Sequence, residues 1–571
     1  MSNRKIVNIN NLKELLEYAT YTYPNNTIAK LKRKINKKGE APDIYNVTYK
    51  EFKEHIDCLG TKLLSLGLKD KKIAIISSNR YEWLVSYFAI AAGVGIVVPL
   101  DKSLPDDEIK ACVKRSKIEA ILYSDKYDNV MNEIKEKNDT DLKIFFSFDI
   151  EKEKNGILSY KEELENGRDL LSSGDRNYLD SIVDSDKINI LLFTSGTTSM
   201  SKVVMLSHRN ICSNVMDIAS INSIYSTDCI LAFLPLHHTF SSTVLTTLLY
   251  RGSSFAFCDG IKYIAQNLEE YKITALVCVP AILENMHKKI RKTIESQGKT
   301  KLVNTMTKIT NILCKCKIDI RKKIFKSIHD GLGGHLRIIL TAAAPVSKNI
   351  VKDMNNWGVI TIQGYGLTET SPALTMESDT HRRCGSTGPA LPSVTLEIVD
   401  KDENGIGEIR AKGPNVMYGY YGNEEATNEV LKDGWFYTGD LGYLDKDGYL
   451  YITGRKKNVI VLKNGKNIFP EEIELLVNMN KYVEENIIYG KPDKDDDLQI
   501  CVKVVYNKEM INQDFGNIDE DKIYDIINEH ISSINKKMPA YKYIRSLIIT
   551  DIPLIKTTTA KVKRNEEIKK Y

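Results

Sequence analysis

A run of six small residues, Thr194 to Ser199, is the first stretch whose residue types could do chemistry. Five of the six carry a hydroxyl group, and Lys202 follows shortly after them. Small residues let a backbone come close to phosphate oxygens, to which N–H and O–H groups donate, and a lysine adds a mobile positive charge. The stretch therefore predicts a phosphate-binding loop, with a Ser/Thr-rich surface loop as the alternative.

The spacing of Gly196 and Lys202 matches that of a Walker P-loop, but two other positions do not match. Ser201 stands where that motif has its second glycine, and Val203 stands where it has the Ser or Thr that binds Mg²⁺. We therefore do not expect a loop of the Walker type. The apolar stretch before it, Ile188–Phe193, predicts a buried strand that leads into the loop.

Two adjacent histidines, His237 and His238, follow another apolar stretch, Cys229–Pro235. A single histidine is usually a packed or surface residue. Two histidines at the end of a strand are better placed for function, because functional residues gather at the carboxyl ends of parallel strands. The pattern therefore favours a role for this pair at a site.

Strands and helices alternate along much of the chain, which predicts a parallel, doubly wound α/β sheet. The predicted strands include Lys72–Ile76, Gly95–Leu100, Ala120–Tyr123, Lys143–Phe148, Thr274–Pro280, Leu336–Thr341 and Val359–Gln363. The predicted helices include Asn11–Tyr18, Tyr49–Leu66 and Tyr81–Gly93. The segment Glu151–Lys187 is polar and rich in turn-forming residues, so we expect a connecting surface segment there.

Length and composition exclude several classes of protein. The 571 residues exceed one ordinary core, so at least two domains are expected. The ten cysteines form no CxxC pair, which predicts free thiols in a reducing cytoplasm. The N-terminus has no apolar signal region and no stretch approaches 18 apolar residues in a row, so neither secretion nor a membrane span is expected.

Several stretches, in this order along the chain, resemble the signatures of the adenylate-forming superfamily, which includes acyl-CoA synthetases, firefly luciferase and the adenylation domains of peptide synthetases. They are Thr194–His208, Ala342–Pro345, Gly364–Thr370, Gly434–Asp440, Gly454–Asn458 and Lys556–Arg564. In the first stretch Ser199, Ser201 and Val203 replace the usual Gly, Pro and Gly. The chain is most similar to long-chain fatty acid–CoA ligases.

The resemblance implies an α/β fold in two parts. A large N-terminal AMP-binding domain of doubly wound sheets, residues 1–455, would hold the ATP and acid site. A small, mobile α+β domain, residues 456–571, would follow a hinge at Lys457.

The resemblance also implies which residues hold the nucleotide. They are Thr194, Ser195, Gly196, Thr197, Thr198, Ala343, Ala344, Pro345, Gly364, Tyr365, Gly366, Asp440 and Arg455. Tyr365 would offer a flat face to adenine. Asp440 would accept hydrogen bonds from the ribose hydroxyls, and Arg455 would reach ribose or phosphate.

Five residues are expected to act on the reacting groups: Lys561, Lys202, Glu369, His238 and Thr368. Thr368 would donate to the α-phosphate, and Glu369 would ligate the Mg²⁺ that bridges the ATP phosphates. His238 would border the acid pocket. Lys561 would bridge the carboxylate of the acid and the α-phosphate.

The implied reaction joins a carboxylic acid to a thiol with ATP, Mg²⁺ and CoA as co-substrate. The residues after His238, Thr239–Ser242, include no acid to hold an amino group, which disfavours an amino-acid substrate. The acetyl-specific enzymes have a bulky Trp before the Thr-Glu pair, whereas Gly364-Tyr365-Gly366 leaves room for a long or flat acid. A medium- or long-chain fatty acid is therefore the substrate that we expect first. Aryl-acid and acyl-carrier-protein ligases share the signatures, and a non-catalytic ATP- or lipid-binding relative is the alternative of another class.

The segment 288–326 is strongly basic, with thirteen Lys and Arg side chains against Glu295 and Asp319, although the whole chain carries only +5. Its apolar residues recur at helical spacing and predict a basic amphipathic helix or helix pair. The segment is either a packed helix with a solvated face or a surface for anionic lipid, CoA phosphates or an acidic acyl carrier protein. Nucleic-acid binding is not expected, because no aromatic residues are interleaved with its lysines. We expect a cytoplasmic protein, with peripheral membrane contact as an alternative.

Overall fold

The computed structural model describes residues 6–33, 43–194, 202–221, 223–463, 466–492, 498–556 and 562–569. The strands of these ranges are β1 (Thr27–Lys32), β2 (Ile44–Thr48), β3 (Lys72–Ile76), β4 (Ile96–Pro99), β5 (Ala120–Tyr123), β6 (Ile144–Ser147), β7 (Leu158–Ser159), β8 (Ile188–Phe193), β9 (Val203–Ser207), β10 (Cys229–Ala232), β11 (Ser254–Phe257), β12 (Ala275–Cys278), β13 (Ile338–Thr341), β14 (Ile360–Gly366), β15 (Ala373–Met376), β16 (Thr395–Val399), β17 (Gly407–Lys412), β18 (Gly419–Tyr420), β19 (Leu431–Lys432), β20 (Trp435–Leu444), β21 (Leu450–Arg455), β22 (Ile460–Val461), β23 (Asn467–Ile468), β24 (Val483–Pro492), β25 (Leu498–Tyr506) and β26 (Ile544–Thr550).

The α-helices are α1 (Leu12–Thr22), α2 (Tyr49–Ser65), α3 (Tyr81–Ala89), α4 (Asp106–Ser116), α5 (Asp128–Lys137), α6 (Tyr160–Ser172), α7 (His208–Ser220), α8 (Thr239–Arg251), α9 (Ile264–Glu270), α10 (Pro280–Ser296), α11 (Thr300–Lys315), α12 (Arg321–Ile324), α13 (Lys326–Gly331), α14 (Lys348–Asn356), α15 (Glu424–Val430), α16 (Pro470–Val477), α17 (Lys508–Phe515), α18 (Glu520–Asn535) and α19 (Arg564–Ile568). None of the helices in the described ranges is long and apolar enough to cross a membrane.

Two eight-stranded sheets dominate the first part of the chain, in the orders β18-β9-β8-β4-β3-β5-β6-β7 and β15-β14-β13-β12-β10-β11-β1-β2. In the first sheet the strands from β8 to β7 run parallel. In the second sheet those from β14 to β1 run parallel. Antiparallel strands complete the edges. The predicted doubly wound α/β class is confirmed.

Helix α8 lies in the core between the sheets and is buried on nearly every side. Its sequence is rich in Thr and Ser, which would be costly to bury without hydrogen-bond partners. The Thr246 hydroxyl donates to the Ser242 carbonyl at 2.7 Å, and Thr247 donates to the Thr243 carbonyl at 2.9 Å. The preceding turn of the helix therefore satisfies these hydroxyls. This lets the helix sit between two apolar layers.

A smaller α/β unit with its own core forms from residue 460 onward. Strands β24, β25 and β26 make a three-stranded sheet. Helices α16 and α18 contribute Ile473 and Ile527 to an apolar cluster with Val502 and Val504. The large sheet domain followed by a smaller domain agrees with the predicted fold class. The boundary at residues 455 and 456, and the hinge at Lys457, stay predictions.

The interpretation of Glu151–Lys187 as a purely connecting segment was wrong. It contains β7, which extends the first sheet, and α6, which packs along α2. Gly167 of α6 lies so close to α2 that an added Cβ would be 2.0 Å from the Cys58 carbonyl oxygen. In α6 only Tyr160, Glu163 and Gly167 are buried, which explains the polar sequence, and Ser159 caps the first turn by accepting from the Glu162 N–H.

Candidate active site

The hairpin of β8 and β9 positions the predicted phosphate loop. Thr194 and Lys202 close its base, where the Thr194 N–H donates to the Lys202 carbonyl at 2.9 Å. Directly below, Phe193 pairs with Val203 in the antiparallel ladder. The predicted loop residues Ser195, Gly196, Thr197 and Thr198 lie outside the described residues. Both ends of the loop are therefore fixed by a sheet.

Lys202 and Glu369, which are far apart in sequence, meet at Tyr420. The Lys202 ammonium lies 4.5 Å from the centroid of the Tyr420 ring. The Tyr420 hydroxyl donates to Glu369 Oε1 at 2.8 Å, and the Met417 N–H donates to the Glu369 carbonyl at 2.9 Å. Burial and the nearby Glu369 carboxylate raise the pKa of Tyr420, so its hydroxyl stays a donor. We call Lys202, Glu369 and Tyr420 the Tyr420 cluster.

Tyr365, Asp440 and Arg455 form a second group, which we call the Asp440 cluster. The Tyr365 hydroxyl donates to Asp440 Oδ2 at 2.8 Å, and Arg455 Nε lies 2.8 Å from Asp440 Oδ1. Asp440 and Arg455 face each other across β20 and β21. The Asp440 carboxylate, itself buried, raises the pKa of Arg455, with smaller contributions that include Glu369. Tyr365 at the end of β14 and Glu369 in the following turn are only four residues apart, so the two clusters are neighbours.

Gly366 has a steric role in the turn between β14 and β15. A Cβ at this position would lie 1.8 Å from the Pro372 carbonyl oxygen, so only glycine fits. The constraint at Gly364 is weaker, since its nearest contact would be 3.3 Å from the Thr375 carbonyl oxygen. The following turn, Thr368–Thr370, carries Glu369 toward Tyr420. Thr368 is half-buried on the same turn.

The predicted adenosine-side residues follow β13. Ala343, Ala344 and Pro345 are exposed just beyond the carboxyl end of that strand. Ala343 has φ +74°, in the left-handed region, where an L-residue with a Cβ is strained by about 1 kcal/mol. The turn therefore adopts a conformation that glycine would take more easily, although the sequence has alanine.

His238 caps the amino end of α8, and its ring lies 4.0 Å from that of His237. His237 Nε2 lies 3.5 Å from Asp101 Oδ2, at the carboxyl end of β4 in the other sheet. The two histidines thus lie where the two sheets approach each other. This placement fits the expected border of an acid pocket.

Two structurally important residues were not among those singled out from the sequence. Glu377 is fully buried, and its carboxyl group accepts from the Gln363 N–H at 3.0 Å and the Arg383 N–H at 2.6 Å. Burial raises the pKa of Glu377 to about 7. Tyr420 lies in the short strand β18, and its contact with Glu369 joins residues 51 positions apart, so no local pattern reveals it.

The predicted hinge and the terminal loop are positioned by the second unit. Lys457 lies in the turn after β21, and next to it the Asn458 side chain donates to Glu471 Oε1 of α16 at 2.7 Å. Lys561 lies outside the described residues. Lys556 and Val562 form a bridge at the two ends of its loop. Arg564 then bonds the Ile488 carbonyl at 2.8 Å.

Glu369 fits a magnesium ion that is shared with a nucleotide. Mg²⁺ commonly takes one or two carboxylates and completes its shell with phosphate oxygens and water. Within the described ranges, no group of three or more His, Cys, Asp or Glu side chains could hold a metal alone. The single carboxylate of Glu369, beside the hairpin of β8 and β9, therefore suits a Mg²⁺ ion whose other ligands are phosphate oxygens and water.

The fold and these clusters define a nucleotide-dependent enzyme of the adenylate-forming type. The family model of the AMP-binding enzyme matches residues 24–421, and that of the AMP-binding enzyme C-terminal domain matches residues 457–571. The chain therefore belongs to the AMP-binding enzyme family.

Curated relatives and solved structures agree with this assignment. Fatty acyl-CoA synthetase B of Dictyostelium discoideum is 28% identical over 94% of this chain and 86% of its own length. Long-chain-fatty-acid–CoA ligase 1 of Homo sapiens is 30% identical over 78% of this chain and 68% of its own length. The anthranilate CoA ligase AuaEII, solved with anthranoyl-AMP, superposes with a TM-score of 0.78 at 18% identity over 100% of this chain and 99% of its own, which shows the fold.

Proposed function

We propose that this chain is an AMP-forming acid–thiol ligase that acts on medium- or long-chain fatty acids. A carboxylic acid and ATP give acyl-AMP and pyrophosphate, and the acyl group then passes to the sulfur of CoA. The observation that carries the proposal is the arrangement of Lys202 and Glu369 around Tyr420, with Tyr365 of the Asp440 cluster four residues before Glu369. A cation and a carboxylate beside the β8–β9 hairpin support the proposal, because such a pair could serve ATP phosphates and Mg²⁺.

In the first half-reaction a carboxylate oxygen attacks the α-phosphorus, and the bond to pyrophosphate breaks. Two anions must approach each other, so catalysis consists mainly of positioning and positive charge. Lys202, Arg455 and Lys561 supply that charge, and the N–H and O–H groups of the loop from Thr194 onward donate to phosphate oxygens. Mg²⁺ on Glu369, when bound, supplies further neutralisation of the phosphates.

The nucleoside would lie against the Asp440 cluster. The ring of Tyr365 would stack on adenine. The Asp440 carboxylate accepts from Tyr365 and pairs with Arg455, and because carboxylate oxygens have several acceptor sites, we propose that it also accepts from a ribose hydroxyl. Ala343 to Pro345 would lie beside the adenosine.

In the second half-reaction the CoA sulfur attacks the acyl carbonyl carbon. A C–S bond forms, the C–O bond to AMP breaks, and the thiol gives up its proton. We assign residues 1–455 and 456–571 to two domains that reorient about Lys457 between the steps, which withdraws Lys561. The turn position of Lys457 and the separate core of the C-terminal unit support this assignment.

A Lys561→Ala variant tests this division of labour. It should lose most of its adenylation rate, yet form thioester from supplied acyl-AMP and CoA at nearly the rate of the unchanged protein. Lys563→Ala, two residues away, serves as the control. Equal loss of both half-reactions in Lys561→Ala would contradict the role of Lys561.

An apolar cavity lies beside α8, the helix that begins next to His238. Val244, Leu248, Val277, Leu340, Ile362 and Met376 are among its lining residues. Its volume of about 30 Å³ is far smaller than an alkyl chain, so the proposal of a fatty acid rests on the relatives. Fatty acyl-CoA and long-chain ligases among the relatives favour the same substrate class.

An acyl-carrier-protein ligase is the second candidate, because the strongly basic segment 288–326 suits an acidic acceptor. Pyrophosphate release with acetate, octanoate, palmitate, benzoate and an amino acid, each with CoA, holo acyl carrier protein or no thiol, separates the candidates. Turnover that peaks with octanoate or palmitate and is accelerated by CoA supports the fatty acyl-CoA ligase. A preference for benzoate would favour an aryl-acid ligase. Acceleration by the carrier protein alone would favour an acyl-carrier-protein ligase. No release with any acid contradicts an enzymatic function.

A further inference from the structure

The outer face of helix α11 combines exposed apolar and basic side chains. Among the sixteen residues of this helix only Thr310 is buried. Leu302, Ile309 and Ile312 are 54%, 43% and 63% exposed. Large apolar side chains on a solvent-facing helix surface commonly mark an interaction site when they occur together and not singly.

These side chains form two parallel rows along α11. Lys301, Lys308 and Lys315 recur every seven residues, which is close to two helical turns, so they lie in one line. Leu302 and Ile309 each follow a lysine by one position and form a second line, and Ile312 lies between the two lines. The opposite side of the helix, with Val303 and Met306, packs against the protein core. We call Lys301, Leu302, Lys308, Ile309, Ile312 and Lys315 the outer face of α11.

The exposed face belongs to a helix that is well anchored. In α10, His287 and Arg291 both bind the Asp353 carboxylate of α14, with His287 Nε2 2.8 Å from Asp353 Oδ2. The His287 ring also stacks on Trp357. In α11 itself, the Asn311 side chain donates to Asn356 Oδ1 at 3.0 Å. The helix pair therefore presents the outer face of α11 from a fixed position.

The segment 288–326, which contains α11, carries a large excess of positive charge. Of the two acidic residues in segment 288–326, Asp319 is paired with Arg321, Nε to Oδ1 at 2.9 Å, and Arg321 lowers the pKa of Asp319 to about 2. Exposed Ile318 and Ile324 continue the apolar character beyond the helix, with exposed Lys322 and Lys323 beside Ile324. Such a surface complements an anionic partner.

The geometry points to the outer face of α11 as a docking surface for an anionic lipid bilayer. An interfacial helix places its apolar row at the boundary of the acyl chains and its lysines at the headgroups. Anionic headgroups complement the exposed lysines, and acyl chains suit the exposed Leu302, Ile309 and Ile312 beside them. A lipid surface therefore meets both sets of side chains.

Vesicle co-sedimentation of the full chain, without ATP or acid, tests this inference separately from the proposed enzyme activity. The probes are vesicles of phosphatidylcholine alone and of phosphatidylcholine mixed with phosphatidylglycerol. The unchanged protein should bind the mixed vesicles at low salt and bind the neutral vesicles far more weakly. Replacing Lys301, Lys308 and Lys315 together by Gln should weaken binding on the order of a hundredfold, since each lysine near an anionic surface contributes about fivefold.

Two further variants separate charge from apolar contact. Ile309→Ser with Ile312→Ser should weaken vesicle binding without changing net charge. Replacement of Lys69, Lys446 and Lys536 by Gln removes the same charge from exposed positions elsewhere and should leave binding nearly unchanged. Unchanged melting temperatures show that the variants fold.

Three outcomes overturn the inference. The first is that the unchanged protein binds no anionic vesicles, or that the α11 lysine variant binds them as tightly as the control variant. The second is that the α11 lysine variant keeps vesicle binding but loses turnover with holo acyl carrier protein, which assigns the face to that partner. The third is a dimer in solution that dissociates in the Ile309/Ile312 variant, which assigns the face to a second copy of the chain.

Discussion

The Tyr420 cluster and the Asp440 cluster hold opposite charges in different ways. In the Asp440 cluster, Arg455 touches the Asp440 carboxylate directly at 2.8 Å. In the Tyr420 cluster, Lys202 lies over the ring of Tyr420 while Glu369 meets its hydroxyl, and these two described residues form no direct ion pair with each other. One pair is already neutralised within the protein, whereas the other keeps its charges apart.

This difference matches the parts of a nucleotide that each cluster would meet. A ribose and a base are neutral and need a rigid, oriented frame, which the buried Asp440 carboxylate, held by Arg455 and Tyr365, provides. Phosphates and a metal ion need separate positive and negative partners, which an aromatic spacer leaves available. The comparison therefore predicts that changes in the Tyr420 cluster alter rate, and that changes in the Asp440 cluster alter nucleotide affinity.

The largest effect is expected from Glu369→Gln. The change keeps the shape of the side chain and removes the charge that would bind Mg²⁺, so the adenylation rate should fall on the order of a hundredfold. The Mg²⁺ concentration for half-maximal rate should rise. A Mg²⁺ titration of pyrophosphate release measures both, with exposed Glu425→Gln as the control. An unchanged Mg²⁺ titration counts against Glu369 as the ligand.

Asp440→Asn should affect ATP binding more than turnover. Loss of a charge-assisted contact at the buried Asp440 carboxylate costs about 1.5–3 kcal/mol, which corresponds to a rise in KM for ATP of roughly tenfold to a hundredfold. Steady-state kinetics with varied ATP give KM and kcat separately. The exposed pair of Lys161 with Glu151 offers the control Glu151→Gln, since exposed pairs contribute little. A fall in kcat with unchanged KM would mean that the Asp440 cluster governs the rate and not the affinity for ATP, which contradicts the comparison.

Tyr420→Phe should have a smaller effect, because the ring under Lys202 remains and only the hydrogen bond to Glu369 is lost. We expect a rate decrease of roughly tenfold. Tyr420→Leu removes the ring as well and should be more damaging. Single-turnover adenylation rates of the two variants measure the separate contributions of the hydroxyl and the ring. If Tyr420→Phe lowers the adenylation rate as much as Tyr420→Leu does, the ring of Tyr420 does not act as the spacer between Lys202 and Glu369.

The smallest effect on activity at neutral pH is expected at His208, which supports the hairpin of the Tyr420 cluster. Its Nδ1 accepts from the Leu12 N–H at 3.2 Å, and burial lowers the pKa of His208 to about 4. The unfolded chain therefore takes up this proton near pH 6.5, before the folded chain does. The free energy of unfolding should fall by up to about 3 kcal/mol between pH 6.5 and 4.

Hydrogen exchange of the amides in α1 and α7 across this pH range measures the loss, with His208→Gln as the comparison. The protection of the unchanged protein should fall more steeply with acid than that of the variant. Equal slopes would mean that protonation of His208 does not govern the stability of the hairpin.

Local sequence patterns predicted the elements of the site but not their contacts. The strand before the loop, the strand before Gly364 and the basic helix pair were confirmed because burial and helical spacing are local properties. The contact of Tyr420 with Glu369 joins residues 51 positions apart, and the contact of His208 with Leu12 joins residues 196 positions apart. Such contacts depend on the order of strands in the sheets, which no single stretch encodes.

The polar composition of segment 151–187 also led to a wrong prediction, because it gave no sign that one face of a helix there is packed. Helix α6 was missed because its buried positions are few and include Gly167, whose importance comes from the close approach of α2. The roles assigned to the loop residues, to Lys457 and to Lys561 stay predictions.

The most direct measurement of the central claim is a quenched single turnover of the protein with ATP, Mg²⁺ and palmitate or octanoate in the absence of CoA. Mass spectrometry of the quenched mixture should detect acyl-AMP in an amount near that of the enzyme, together with equal pyrophosphate, and added CoA should convert it to acyl-CoA and AMP. ATP consumed without acyl-AMP, or no ATP consumed with any acid, would contradict the assignment of this site as an adenylate-forming centre.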